Sequence, residues 1–173
     1  MLTETEIYLR LKLWLQERSW IILGGQPPGG TNDIPIIELK DPEHKMKGSK
    51  GSRKIDLVAF KASYFLLTEV KEIFAHSDIK KLNEIVAERK WRIALLKALA
   101  ERRLFELHGI PCPREALYLA TPSKYIKAVS FNYTGRLGPR DFVTFVPSPG
   151  GITPQIGADV TRTAEELFMQ VTS

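Results

Sequence analysis

Cysteine is nearly absent from this chain of 173 residues. The single Cys112 cannot form an internal disulfide, and it excludes a Cys-rich zinc site as well. A lone thiol fits a reducing compartment. Long apolar runs are missing too: the longest fall far short of the roughly 20 residues that a bilayer-spanning helix needs. The first ten residues, MLTETEIYLR, lack the basic-then-apolar order of a secretory signal. The expectation is a cytoplasmic, intracellular protein without a membrane partner. No internal repeat or low-complexity tract interrupts the chain. The stretch GGQPPGG at 24–30 is followed by no Lys-Ser/Thr pair, so it is not a P-loop, and it reads as a loop near a groove. No series of aromatics of the kind that binds single strands is present either.

What is present is an ordinary globular composition, 43% hydrophobic and 26% charged, which predicts one domain over 1–173 with its own core. The net charge is +5, and it is clustered. Six basic residues stand between Lys40 and Lys54 against Asp41 and Glu43, and eight between Lys80 and Arg103 against three glutamates. Such clustering is either a solvated face or the footprint of a phosphate-backbone binder.

Periodicity predicts a helix over 3–18, capped by Thr3 or Thr5, with Ile7, Leu11, Trp14 and Leu15 on one stripe. Short strands are predicted at 20–23 and 34–39, with Pro35 favouring an edge. Residues 40–52 read as a basic loop. A long helix, capped by Ser77 or Asp78, is predicted from there to about His108, where Gly109 and Pro111 stop it. The sequence then predicts a buried strand at 115–122, a helical or irregular stretch at 123–131, a strand at 141–147, a loop at 148–157 and a closing helix over 161–171. The whole is an α/β arrangement around a mixed sheet.

Between these lies KIDLVAFKASYFLLTEVKE, residues 54–72, the most apolar and strand-like part of the chain, yet carrying Asp56, Glu69 and Lys71. A four-residue loop at 61–64 pairs Phe60 with Phe65, and partner numbers then sum to 125. That register sets Asp56 opposite Glu69, with Lys71 on the same face and Val70 on the other. Two such carboxylates repel unless a cation lies between them. Mg²⁺ resolves the conflict, taking one or two carboxylates, a carbonyl such as that of Val70, and waters. Lys71 is then placed to orient a metal-bound water or to stabilise developing charge. The competing reading is an exposed ion pair of small value. Apolar flanks on both strands oppose it.

The pattern Asp56, twelve residues, then Glu69-Val70-Lys71 resembles the motif of the PD-(D/E)xK nuclease superfamily, the restriction-endonuclease-like fold. The resemblance covers roughly residues 3–121 and includes the order helix, three-strand meander, helix and strand. Ile55 stands where the family nominally has proline. The resemblance implies an α-β-β-β-α-β core with a central mixed sheet flanked by helices, and a C-terminal elaboration over 122–173. It implies a Mg²⁺-dependent endonuclease, with Mn²⁺ able to substitute, that hydrolyses DNA phosphodiester bonds in repair, recombination or restriction. Asp56, Glu69 and the Val70 carbonyl would hold the metal, and Lys71 would position the water. Glu6 on the first helix, with Glu4 as the fallback, would complete the site, as a helix glutamate does in archaeal Holliday-junction resolvases.

Lys45, Lys47, Lys50, Arg53 and Lys54 precede the Asp56 strand and are candidates for gripping phosphates. Lys80 and Lys81 open the following helix, whose dipole would assist. His44 and His76 read as loop histidines without a chemical role, and His108 as a helix-terminal one. The apolar tail AEELFMQV at 164–171 is a candidate homodimer surface. A non-catalytic nucleic-acid-binding module of the same fold is the alternative function.

Overall fold

Thr3 caps the first helix, α1 (Glu4–Glu17), through a reciprocal capping box with Glu6. The structure, a computed structural model, describes residues 1–30, 33–43, 51–111 and 115–169. Strand β1 (Ile21–Gly24) follows, then a two-residue ladder of β2 (Glu38–Leu39) with β3 (Arg53–Lys54). The strand predicted at 34–39 thus shrinks to β2 and a single bridge from Gly25 to Ile36. Next come β4 (Leu57–Lys61) and β5 (Tyr64–Val70).

The predicted long helix is three: α2 (His76–Ala87), α3 (Arg89–Glu101) and α4 (Leu104–Leu107). Ala75, not Ser77 or Asp78, occupies the cap position of α2. Glu88 is extended and separates α2 from α3. The carbonyls freed there are taken by the buried Arg92 guanidinium, which donates to Val86 and to Ala87 at 2.9 Å, and also reaches the Leu119 carbonyl at 2.7 Å. No proline or glycine marks this break.

Downstream, the predictions at 115–157 are corrected in kind. Residues 115–120 form helix α5 (Glu115–Ala120) rather than a strand, and 125–130 form strand β6 (Tyr125–Ser130) rather than a helical or irregular stretch. Strand β7 (Phe142–Ser148) lies where expected, but the predicted loop after it contains β8 (Gly151–Ile156). Pro154 is tolerated there because β8 is an edge strand. Helix α6 (Arg162–Met169) closes the described chain.

Six strands make one mixed sheet in the order β1-β4-β5-β6-β7-β8. The meander β1-β4-β5 is antiparallel, β5, β6 and β7 are mutually parallel, and β8 returns antiparallel. Alternate residues of β5 feed two cores. Phe65 and Leu67 pack with Leu82, Ile85 and Leu95 of α2 and α3, while Leu66 and Val70 pack with Leu11 of α1 and Phe168 of α6. The sheet therefore continues through β6 to β8, beyond the 3–121 core that the sequence predicts. Ala164, Leu167 and Phe168 of the supposed dimer tail are buried in the chain's own core.

Candidate active site

The hairpin turn is tighter than predicted. Lys61 still pairs with Tyr64, so only Ala62 and Ser63 form the loop, both with positive φ, as a type I′ turn demands. The register is nonetheless the predicted one, Phe60 with Phe65 and Leu57 with Thr68. One step further on, Asp56 leaves the ladder, and its carboxylate accepts the Val70 N–H at 2.8 Å. Extended residues present N–H and C=O to the same side, so the Val70 carbonyl points to that side too. Gly25 fixes the strand from the opposite edge. A Cβ on it would lie 2.3 Å from the Asp56 carbonyl oxygen, and the next residue, Gln26, donates its N–H to the Ile55 carbonyl at 2.7 Å. Glycine is required there for close approach.

Glu69 lies on the α2 side of β5, with its side chain only 1% exposed. One oxygen, Oε2, accepts from Lys81 Nζ at 2.6 Å, and the other, Oε1, is buried with no hydrogen-bond partner among the described residues. Burial, then the neighbouring Asp56, pushes the Glu69 carboxyl up to about 8, against the pull of Lys81. Burial also raises Asp56, opposed by the Val70 N–H and by Lys71 and Lys81. Lys71 is raised: burial works against its charge, but Asp56, Glu4 and Asp78 outweigh it. Its ammonium stands 3.3 Å from Glu4.

The structure thus gathers Asp56, Glu69 and Lys71 at one end of the hairpin. Of the two helix glutamates it is Glu4, the fallback, that reaches Lys71. Glu6 is held by the cap: the Thr3 N–H donates to it at 2.8 Å and the Thr3 hydroxyl at 3.0 Å, and these bonds keep its carboxyl below the usual range.

Sequence reasoning missed Asp78 and the true place of Lys81. Asp78 is 8% exposed, lies 3.9 Å from Lys81 and has a buried oxygen with no partner among the described residues. The signal was the spacing from Asp78 to Lys81 on the first turns of α2, which sets both on one helix face. Lys81, predicted to bind phosphate, is committed to Glu69. Arg53 is likewise committed, to Glu84 at 2.5 Å and over the Trp91 ring. Lys54 and Lys80 remain exposed. His44, Lys45, Lys47 and Lys50 lie outside the described residues. His76 opens α2 with Nε2 3.1 Å from the Arg136 guanidinium, and His108 follows α4 as its C-cap.

Among the described residues, no three His, Cys, Asp or Glu side chains converge as a ready-made metal cage. Compared with known proteins, the chain matches no family model, no curated protein and no solved structure.

Proposed function

We propose that the protein is a Mg²⁺-dependent endonuclease acting on DNA, built on a restriction-endonuclease-like core. The observation that carries this reading is Glu69, a carboxylate sealed in a hairpin beside Asp56, with a buried oxygen that no donor among the described residues reaches. Unsatisfied buried carboxylate oxygens are costly, and sites that keep them generally have work for them. The order of α1, the β1-β4-β5 meander, the helices and then β6 supports the reading, since it follows the helix, three-strand meander, helix and strand expected of such a core.

The donor set suits a hard cation: Asp56, Glu69 and the Val70 carbonyl would hold Mg²⁺ or Mn²⁺, with waters completing the shell. When bound, the ion supplies a polarised phosphoryl oxygen and an acidified water. The chain's own residues do the rest. Asp56 is aimed by the Val70 N–H, and Gly25 keeps its strand close. Lys71, held charged between Asp56 and Glu4, orients the attacking water and meets charge developing on the phosphate. Glu4 positions Lys71.

One observation favours the second reading, a nucleic-acid-binding module without activity: Lys81 already donates to Glu69 at 2.6 Å, as an inert structural pair would. Incubation of plasmid, branched and single-stranded DNA with Mg²⁺ or Mn²⁺ decides between them. The nuclease reading expects cleavage that falls on the order of 10²–10⁴-fold in Lys71→Ala, with DNA binding retained. If the wild type binds DNA and cuts none of these substrates in either metal, the module reading replaces it.

A further inference from the structure

Two loops meet at the C-terminal ends of β5 and β6, beside the carboxylates. Asn132 joins them: its N–H donates to the Glu72 carbonyl at 3.3 Å and its side-chain amide to the same oxygen at 3.1 Å. That side chain also exchanges bonds with the Leu2 backbone, at 3.0 and 2.8 Å. Asn132 is 9% exposed, so this junction is a built part of the fold. The next residue on each loop is large, apolar and turned outward: Ile73 is 64% exposed and Tyr133 58%. Ile73 is only two residues beyond Lys71. Single exposed apolar residues need no explanation. A pair anchored at the rim of a charged, buried site does, because water-facing Ile and Tyr contribute nothing to phosphate binding or to the core.

Beside them stands a cation prepared for an anion. The Arg136 guanidinium lies 4.3 Å over the Phe74 ring and 3.1 Å from His76 Nε2. Phe74 is itself pinned between Phe131 and His76, with ring centroids 5.4 and 5.0 Å away. Among the described residues no carboxylate lies within ion-pair distance of Arg136. A planar cation held against an aromatic face and lacking an acidic partner suits a backbone phosphate. The exposed phenol ring of Tyr133, three residues earlier on the same loop, suits the face of a base, which is available only where bases are unstacked.

We propose that Ile73, Tyr133 and Arg136 form a lip that takes the unpaired strand of a branched or frayed DNA, with Arg136 on the phosphate and Tyr133 against a base. This rests on the nuclease reading and narrows its substrate class from DNA in general to duplex that carries single-stranded nucleotides beside the cut. All three side chains are exposed, so their variants should fold.

The test measures fluorescence anisotropy of the full chain in EDTA, with a blunt duplex and the same duplex bearing an unpaired strand with 2-aminopurine beside the fork. The wild type should bind the forked DNA on the order of tenfold more tightly, with 2-aminopurine quenched on binding. Tyr133→Ala should lose that preference and the quenching while its affinity for blunt duplex is unchanged, and Ile73→Ser should weaken the preference. Equal wild-type affinities, or a preference that survives in the Tyr133→Ala/Ile73→Ser double variant, overturns the lip. So does light scattering that shows a wild-type dimer made monomeric by Tyr133→Ala, since the pair is then a subunit contact. Equal affinities together with Mg²⁺-dependent cutting of blunt duplex would remove the lip and leave the nuclease. No binding of either DNA and no cleavage would remove both.

Discussion

Glu69 shares its surroundings with Asp56 and Asp78, and among the described residues only Lys81 contacts it with positive charge. An unfolded chain releases the Glu69 proton near 4.5, whereas the folded chain holds it to about 8. A raised folded value means that the stability this group lends is full below about pH 4.5 and is lost as pH climbs to about 8. The loss has a limiting slope of about 1.4 kcal/mol per pH unit. Glu69→Gln cannot titrate. Urea denaturation at a series of pH values should therefore show the variant gaining on the wild type across that window and running parallel to it above. A pH-independent difference between the two would contradict the placement of Glu69. Lys81 provides a second check. Lys81→Met removes the counter-charge, and breaking a buried pair of this kind costs about 3–5 kcal/mol when the remaining group stays charged. At about pH 6 the abandoned carboxyl can stay protonated, so the loss should be small there and should grow toward about pH 9, as read from the same denaturation curves.

At the scale of elements the hairpin sets the site, and its turn is made of the wrong residues for its shape. Ala62 and Ser63 have φ of 47° and 70°, where side chains other than Asn, Asp or Gly are strained. Ala62→Asn with Ser63→Gly should stabilise the protein by about 0.5–1 kcal/mol per position, seen as a raised Tm with unchanged near-UV circular dichroism. The hairpin was legible because alternation and register are local: once Phe60 meets Phe65, Asp56 must arrive near Glu69. The elements after it were not. EALYLA at 115–120 is a short apolar run that periodicity cannot divide between helix and strand, and its tertiary place against α3 makes it a helix. YIKAVS at 125–130 becomes a strand because β5 and β7 flank it, a long-range pairing with no local signal. GITPQI at 151–156 has the composition of a loop, but an edge position forgives its proline. The break at Glu88 depends on Arg92 reaching back to carbonyls of α2, and no breaker residue announces it. Glu6 was misplaced for a related reason. The capping box with Thr3 is a local competitor for its carboxylate, and the pattern Thr-x-x-Glu was there to be read as one.

At the scale of the whole molecule, the +5 charge is less available than its clusters suggest. Arg53 is bound to Glu84, Lys81 to Glu69, Arg92 to backbone carbonyls and Lys90 to Asp41 and Glu43. Buried or paired cations of this kind organise the fold and release few counterions from DNA. Among the described candidates, Lys54 is exposed and Lys80 has a side chain 81% exposed, with Glu84 no nearer than 3.9 Å. Binding that rests on phosphate contacts weakens linearly in log K against log salt, with a slope of about −0.9 per phosphate neutralised. The predicted outcome separates the two groups. Lys54→Ser and Lys80→Ser should each reduce the slope by about one, weakening binding alike for every duplex sequence. Arg53→Met should leave the slope unchanged and instead lower Tm, because Glu84 loses its partner. Anisotropy titrations over a range of NaCl concentrations measure the first effect and thermal denaturation the second. A slope that falls in Arg53→Met, or does not fall in the two lysine variants, would show that the DNA approaches along the Trp91 face and not along the edge where the hairpin site opens.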